Sequence, residues 1–438
     1  MKKKIAAMTF GCKINQYETS CIIDNFTQHD YEVVDFSQTA DVYIINSCTV
    51  TNRTDYKSRS ALRKALKVKD ENPNTIVVIT GCYAQRNYDE IKKIGPVDLV
   101  VDNNKKEKIY DLVCALADHN LTQKQHFQNI LDLDEFSELS TTNLLERSRA
   151  FVKVQDGCDY YCAYCAIPFA RGHSRSRDKE KVLQQITLLV ENGYKEFVLA
   201  GINLGLYGKE KSDNYFLADL LADIEKISGV ELIRLSSVEP QLFTDDVLAF
   251  FKQSTKIAPH FHIPLQAGCD EILEKMNRRY TTADFSKNLE NIYSIFPNAA
   301  VGIDLIVGFP GETEELFEKT FAYLTNLKFT YLHVFSYSKR PGTVATEMKG
   351  QVDGNTQKIR SKKLAELSKN KTDKYIEFLL ENKMSLRGII EHNDSEEMST
   401  GVSDHFIRFY LDKAIQEQDF IEMEIIERYK DGVKVKEK

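Results

Sequence analysis

Hydrophobic and polar positions divide the chain into three regimes. Over residues 1–117, short Ile- and Val-rich runs alternate with stretches in which apolar residues recur every three or four positions. Ile5–Phe10, Val42–Asn46 and Thr75–Thr80 read as buried strands, and Gln16–Phe26 and Ser58–Val68 carry helical spacing. Such alternation predicts a parallel sheet with helices packed against it. Across 118–149 the periodicity breaks down, and the polar segments His119–Gln128 and Ser137–Asn143 predict a linker.

A second alternating series fills 150–371. Its strands are expected at Phe151–Val154, Glu196–Ala200, Leu232–Ser236, His260–Pro264, Val301–Val307 and Tyr331–Phe335. Helical patterns lie between them, at Lys179–Glu191, Thr244–Phe251, Ala283–Phe296 and Glu314–Leu327. Six such units suit a partial (β/α) barrel better than a small doubly wound sheet, and in either case ligands gather at the carboxyl ends of the strands. Lys358–Phe378 reads as one charged amphipathic helix. Met384–Glu391, His405–Leu411 and Phe420–Glu427 then look like strands of a small β domain over 372–438. The expected fold class is therefore α/β with a β appendage.

Composition narrows the function. The chain has 438 residues, 42% hydrophobic and 28% charged, and no apolar run long enough to span a membrane. The basic start Met1–Lys4 is followed by an apolar stretch that Gly11, Cys12 and Lys13 cut short, so a cytoplasmic location is expected. A net charge of −7 argues against wholesale coating of nucleic acid but leaves room for local basic patches. Nine cysteines in such a chain point to thiol or metal chemistry rather than disulfides.

The cysteines fall into two constellations. Cys158, Cys162 and Cys165 form C-x3-C-x2-C just after the first strand of the second series. One tight loop can aim three thiolates at one locus, ligating three irons of a [4Fe–4S] cube and leaving the fourth open. A zinc site with His173 as a fourth ligand, or plain buried cysteines, are the alternatives. Cys12, Cys48 and Cys82 lie far apart in sequence, but each falls just beyond an expected strand: Gly11-Cys12, Ser47-Cys48 and Gly81-Cys82. If those strands are parallel neighbours, the three sulfurs converge at one sheet edge and suggest a second [4Fe–4S] site. Three unrelated buried cysteines are the alternative there.

The loop Gly157-Cys158-Asp159-Tyr160-Tyr161-Cys162-Ala163-Tyr164-Cys165 resembles that of radical S-adenosylmethionine enzymes. Two cysteine triplets in this order, followed by a small β domain, resemble the methylthiotransferases over essentially the whole chain. The resemblance implies an N-terminal cluster domain (1–117), a radical barrel (150–371) and a C-terminal TRAM-type β-barrel (372–438). It also implies two [4Fe–4S] clusters, S-adenosylmethionine as methyl donor and radical source, and an external low-potential electron donor. The segments Gly11–Glu18, Cys48–Asp55, Ile167–Arg177 and Ala200–Gly208 look like the branch that acts on threonylcarbamoyladenosine at position 37 of tRNA. The other branches modify isopentenyladenosine in tRNA or an aspartate of a ribosomal protein. A rival of another class is a non-catalytic iron–sulfur redox sensor that binds RNA.

The superfamily places the aromatic before the last loop cysteine, here Tyr164, near the adenine, and grips the substrate amine where this chain has Gly201-Ile202-Asn203. Strand-end polar groups give Ser237 and Gln266 as further cofactor contacts, with Ser236, Glu239 and His262 beside them. Gly308, in Val307–Thr313, can bring backbone against the adenine. Basic clusters at Arg53–Lys69, Arg171–Arg177 and Lys339–Lys371 give Arg53, Lys57, Arg171, Arg175, Arg177 and Arg340 as expected tRNA contacts. The C-terminal segment from Thr372 departs from the family, with ten basic against sixteen acidic residues, net −6, and Gln418-Asp419 where a Gly-Asp turn is usual. Arg387, Arg408 and the terminal lysines are its expected contacts.

Overall fold

A computed structural model of the chain describes residues 2–118, 125–126, 128–141, 148–395 and 397–438. The first sheet has six parallel strands: β1 (Lys3–Thr9), β2 (Tyr31–Val33), β3 (Val42–Ser47), β4 (Ile76–Gly81), β5 (Leu99–Val101) and β6 (Gln125–His126), in spatial order β2-β1-β3-β4-β5-β6. Because successive strand residues face opposite ways, each central strand feeds two cores. Tyr43, Ile45, Val77 and Ile79 pack with Ala61, Leu62 and Leu66 of helix α2 (Asn52–Glu71). Ile5, Ile44, Val78 and Leu99 pack with Ile22 and Phe26 of helix α1 (Lys13–Gln28). This two-sided burial explains why the strands read as continuous apolar runs. The three-residue strands β2 and β5 were not expected, being too short to show a period.

The second series begins at β7 (Ala150–Lys153), followed by the small antiparallel pair β8 (Gln155–Asp156) and β9 (Arg175–Ser176). The other barrel strands are β10 (Glu196–Ala200), β11 (Leu232–Leu235), β12 (His260–Gln266), β13 (Ala300–Val307) and β14 (Tyr331–Ser336). β7-β10-β11 and β12-β13-β14 are parallel sheets, joined by parallel bridges Ile233–Ile257 and Ser237–His262. The arc runs from β7 to β14, and no pairing closes it among the described residues. The N-terminal domain stands at β7, which α1 touches.

Strands β15 (Ser385–Ser395), β16 (Met398–Ser403), β17 (Arg408–Leu411), β18 (Phe420–Tyr429) and β19 (Gly432–Glu437) form a closed barrel in the order β15-β16-β17-β19-β18. Two of these five were not expected. The expected boundary at 371/372 falls inside one helix, Gly354–Glu381. Its Leu364 belongs to the radical-barrel core, and its Ile376 and Leu379 to the C-terminal core.

Of the expected linker, 119–124, 127 and 142–147 lie outside the described residues, as do His119 and the side chain of His126. Its segment 128–141 is packed rather than free. Ile130 and Leu139 are buried, the Tyr17 hydroxyl donates to the Leu139 carbonyl at 2.6 Å, and Thr141 donates to Asp24 at 2.7 Å. Among the described residues, no helix is long and apolar enough to cross a membrane.

Candidate active site

Each N-terminal cysteine follows a sheet strand. Cys12 lies between β1 and α1, Cys48 follows β3, and Cys82 opens the short helix α3 (Cys82–Arg86) directly after β4. β1, β3 and β4 are adjacent and parallel, so all three sulfurs emerge at the carboxyl edge, where the strand order also reverses. Gly11 (φ +96°) shows how close the loops come: a Cβ there would lie 2.6 Å from Cys48 Sγ. Gly81 (φ +94°) likewise has no room, its Cβ falling 2.2 Å from the Ser47 carbonyl oxygen. Burial first, then the neighbouring Cys82 and Cys12 sulfurs, pushes the Cys48 thiol up to about 12.

The second triplet lies on the loop after β8. Gly157 (φ +72°) makes the entry turn, and the Cys158 amide donates to the Gly172 carbonyl at 3.1 Å. Asn203 Nδ2 approaches Cys158 Sγ at 3.8 Å, and Arg278 Nη1 donates to Cys162 Sγ at 3.3 Å. Burial, then Cys162, pushes the Cys165 thiol up to about 12. All six cysteines are free thiols. Neither triplet, among the described residues, gathers its sulfurs within 4.8 Å of one another. Tetrahedral zinc at ~2.3 Å from each sulfur would hold them about 3.8 Å apart, closer than either triplet is gathered here. His173 is turned to Asp159, 2.8 Å away.

A cavity of about 260 Å³ is walled by Cys165 and by the residues that follow Cys48 in sequence. Its walls are Thr49–Thr51, next to Cys48; Tyr164–Ile167, including Cys165; and, from the barrel, Gln266, Asp304, Ile306 and Phe335–Ser338. Arg86, at the end of α3, interacts electrostatically with both Cys82 and Cys165, one sulfur of each triplet. Its guanidinium also donates to the Pro341 carbonyl.

The expected cofactor residues divide. Tyr164 and Gln266 line the cavity, and the Tyr164 ring meets Phe309 edge-on at 6.4 Å. Gln266 adopts φ 67°, an uncommon conformation for a non-glycine residue. Asn203 is buried, its amide N–H bound to Gln155 Oε1 at 2.8 Å, while its own Oδ1 has no partner among the described residues. A Cβ on Gly201 would press Leu204 Cδ2 at 2.8 Å, and one on Gly308 (φ +73°) would strike Gln357 Cγ at 2.3 Å. Ser237 is exposed beyond β11, whereas the hydroxyl of buried Ser236 is unpartnered among the described residues. Glu239 pairs with Arg278.

Four of the six expected tRNA contacts are corrected by the structure. Arg171, Arg175, Arg177 and Arg340 are all buried. Arg171 pairs with Glu18 at 2.9 Å and Asp156 at 3.0 Å and donates to Asn15 at 2.6 Å. Arg175 donates to the Arg171 carbonyl at 2.8 Å, and Arg177 pairs with Glu138 at 3.0 Å. Arg340 reaches the other domain, pairing with Asp55 at 2.6 Å and donating to the Thr49 carbonyl at 3.2 Å. These guanidiniums are consumed inside the protein and cannot also hold phosphate. Arg53 and Lys57 are exposed, on α2 beginning at the cavity rim.

The pattern-based reading missed the group between the domains. Glu18 of α1 also pairs with Lys153 of β7 at 2.9 Å and with Lys106, and Lys153 pairs with Asp156 at 2.6 Å. Burial works against the Glu18 carboxylate, yet Arg171, Lys106 and Lys153 hold its pKa well below the usual range. Its sequence signal was faint: a glutamate and a lysine within amphipathic segments.

Two family descriptions match the chain: "Uncharacterized protein family UPF0004" over residues 4–102 and "Radical SAM superfamily" over 152–324. The chain is 40% identical over 410 residues to the threonylcarbamoyladenosine tRNA methylthiotransferase MtaB of Bacillus subtilis, covering 92% of this chain and 89% of that one. It belongs to the radical S-adenosylmethionine methylthiotransferases. The family includes the tRNA-2-methylthio-N(6)-dimethylallyladenosine synthase of Natranaerobius thermophilus, 31% identical over 94% of this chain and 92% of that one. Among solved structures, the radical S-adenosylmethionine methyltransferase TsrM from Kitasatospora setae shares the fold, with a TM-score of 0.60 at 13% identity over 79% of this chain and 77% of that one. Membership brings a [4Fe–4S] cluster and S-adenosylmethionine to this methylthiotransferase.

Proposed function

We propose that this enzyme converts N6-threonylcarbamoyladenosine at position 37 of tRNA into its 2-methylthio derivative, in the cytoplasm, with electrons from an external low-potential donor. The observation that carries this reading is that residues beside Cys48 and beside Cys165 wall one cavity between the domains. The choice of adenosine follows the relatives: 40% identity to a threonylcarbamoyladenosine enzyme against 31% to a dimethylallyladenosine one.

Cys158, Cys162 and Cys165 would hold one [4Fe–4S] cluster and Cys12, Cys48 and Cys82 a second. When bound, the first with S-adenosylmethionine supplies radical chemistry at C2 of the adenine, and the second supplies sulfur. The protein's own groups bind and orient. Tyr164 offers an aromatic wall to an adenine, and the unpartnered Asn203 Oδ1 can accept from an ammonium beside Cys158. Gly201 and Gly308 present backbone where a side chain would not fit, with Gln266 and Ser237 at neighbouring strand ends. Arg278 fixes the loop at Cys162 while Glu239 balances its charge. Arg53 and Lys57 mark an exposed basic face of α2 for tRNA phosphates, continued by Lys64 and Lys67 at helical spacing.

The C-terminal domain is used partly as a plug. Arg234 of β11 donates to the Ser403 and Asp404 carbonyls at 3.0 and 3.1 Å, and Phe406 stacks on His260 with centroids 4.4 Å apart. Arg387 is tied to Asp404 at 3.3 Å and to the Thr255 carbonyl at 3.2 Å, while Arg408, Lys434 and Lys436 pair with Asp431, Asp412 and Glu424 at 3.4, 2.6 and 2.9 Å.

Mass spectrometry of bulk tRNA from a deletion strain tests the reading. Threonylcarbamoyladenosine should lose its methylthio group there and regain it on complementation. Retention of the methylthio group would contradict the substrate assignment. Production of 5′-deoxyadenosine by the reconstituted enzyme with dithionite would exclude the redox-sensor reading.

A further inference from the structure

Three strands of the barrel carry a side-chain cluster that the proposed reaction does not use. In the parallel sheet β12-β13-β14, His262 of β12 pairs with Gly302 of β13, and Asp304 of β13 pairs with His333 of β14. Paired residues of parallel strands, and residues two apart on one strand, share a face of the sheet. His262, Asp304 and His333 therefore project to one side, that of Ile306 and Phe335, which wall the cavity together with Asp304. His262 Nε2 lies 2.7 Å from Asp304 Oδ1, and His333 Nδ1 lies 3.5 Å from the same oxygen. The three donor atoms fall within 4.8 Å of one another, and among the described residues no other three His, Cys, Asp or Glu side chains gather so closely.

The backbone makes room for this arrangement. A Cβ on Gly302 would lie 2.2 Å from Tyr331 Cζ, so its absence lets the Tyr331 ring lie over β13. From there the hydroxyl reaches His262 Nδ1 at 3.3 Å and His260 Nε2 at 2.8 Å. It holds the His262 ring with Nε2 turned to Asp304, as an outer partner orients a ligating imidazole. Asp304 also differs from other inward carboxylates of the barrel. Glu196, Glu239 and Glu312 pair with Arg234, Arg278 and Arg360, whereas among the described residues only imidazoles pair with Asp304.

Two neutral imidazoles and one carboxylate carry a single negative charge, a donor set that zinc and iron(II) take in three-ligand centres. A cation ~2.1 Å from each donor would hold them about 3.0–3.4 Å apart, close to the observed 2.7 and 3.5 Å. The His333 side chain is 52% exposed and Asp304 faces the cavity, so coordination positions on that side stay open. We propose that His262, Asp304 and His333 bind one divalent transition-metal ion inside the radical barrel, at an open three-ligand site beside the cavity. Its ligands are distinct from both cysteine triplets, and its occupancy is independent of which adenosine the enzyme modifies.

The probe is Mn²⁺, which prefers nitrogen and oxygen donors to thiolates and is counted by the electron paramagnetic resonance signal of the free ion. The full-length enzyme is anaerobically reconstituted, left oxidised so that its clusters give no signal, passed over a chelating resin and titrated, with iron content measured in parallel. The wild type should bind one Mn²⁺ per chain, with imidazole nitrogen couplings in pulsed spectra, and Zn²⁺ should displace it. Asp304→Asn and His333→Gln, the latter at a half-exposed position, should lose the site with cluster iron unchanged. Tyr331→Phe removes only the outer partner and should weaken Mn²⁺ binding about tenfold to a hundredfold. A wild type that binds no Mn²⁺, or whose bound Mn²⁺ shows no imidazole nitrogen, overturns the proposal, whatever the variants do. So does an Asp304→Asn variant that binds Mn²⁺ as the wild type does. Each of these results leaves the tRNA reading standing, because the deletion-strain mass spectrometry tests that separately.

Discussion

The two cysteine triplets are assembled by opposite routes. Cys158, Cys162 and Cys165 sit on one eight-residue span of a single loop, so local turns suffice to bring them together. Cys12, Cys48 and Cys82 are separated by dozens of residues and meet only because β1, β3 and β4 are adjacent and parallel. One site is a property of a loop; the other is a property of a fold. The second should therefore depend more strongly on sheet integrity and on the docking of the two domains.

The largest expected effect strikes what the two sites share. Glu18→Gln leaves Arg171, Lys106 and Lys153 with one buried carboxylate, Asp156, between them. Breaking a buried ion network from one side costs ~3–5 kcal/mol, so denaturant unfolding of the apoprotein should shift by about that amount. The pH dependence has a fixed sign. Glu18 has a pKa depressed by its three cations, against the pull of burial. Its contribution is present above the ordinary glutamate pKa of about 4.3 and is lost as pH falls through the folded value. The wild type should lose stability on acidification over that range, and Glu18→Gln should show a flatter acid limb. Parallel acid limbs would remove Glu18 from the account.

A smaller effect separates the triplets. Gly11→Ala places a Cβ 2.6 Å from Cys48 Sγ at φ +96°. The strain of a left-handed alanine, ~1–3 kcal/mol, should appear in the melting profile. Iron should fall at the N-terminal triplet while the loop triplet still supports 5′-deoxyadenosine formation. Loss of both together would show that the fold-built site is no more fragile than the loop-built one.

The smallest effect lies outside both sites. Gln418 holds φ +72° in the turn before β18, where glycine carries no Cβ penalty. Gln418→Gly should raise stability by up to ~1 kcal/mol, read as a rise in melting temperature with iron content unchanged.

The same contrast explains what was legible in the sequence. The barrel strands announced themselves through apolar runs, and Glu196–Ala200 and Lys179–Glu191 are found at their expected bounds. The C-x3-C-x2-C spacing was visible because it is local. Gly11-Cys12, Ser47-Cys48 and Gly81-Cys82 were visible only through the strands before them. What a linear pattern cannot carry is which charges a fold consumes. Arg171, Arg175 and Arg177 read as a basic patch beside a cluster loop, but Glu18 and Glu138, distant in sequence, and the nearby Arg171 carbonyl take up their guanidiniums. The expected boundary at 371/372 divides a single helix, Gly354–Glu381, whose Leu364 packs in one core and whose Ile376 and Leu379 pack in the other, so the helical period runs unbroken across it.

The central claim is that six thiols form two separate cluster sites around one chamber. Iron and acid-labile sulfide are measured in the anaerobically reconstituted enzyme and in variants with each triplet changed to alanine. The account predicts about eight irons per chain, with about four lost from either variant. An N-terminal triplet variant that keeps all the iron of the intact enzyme would contradict it.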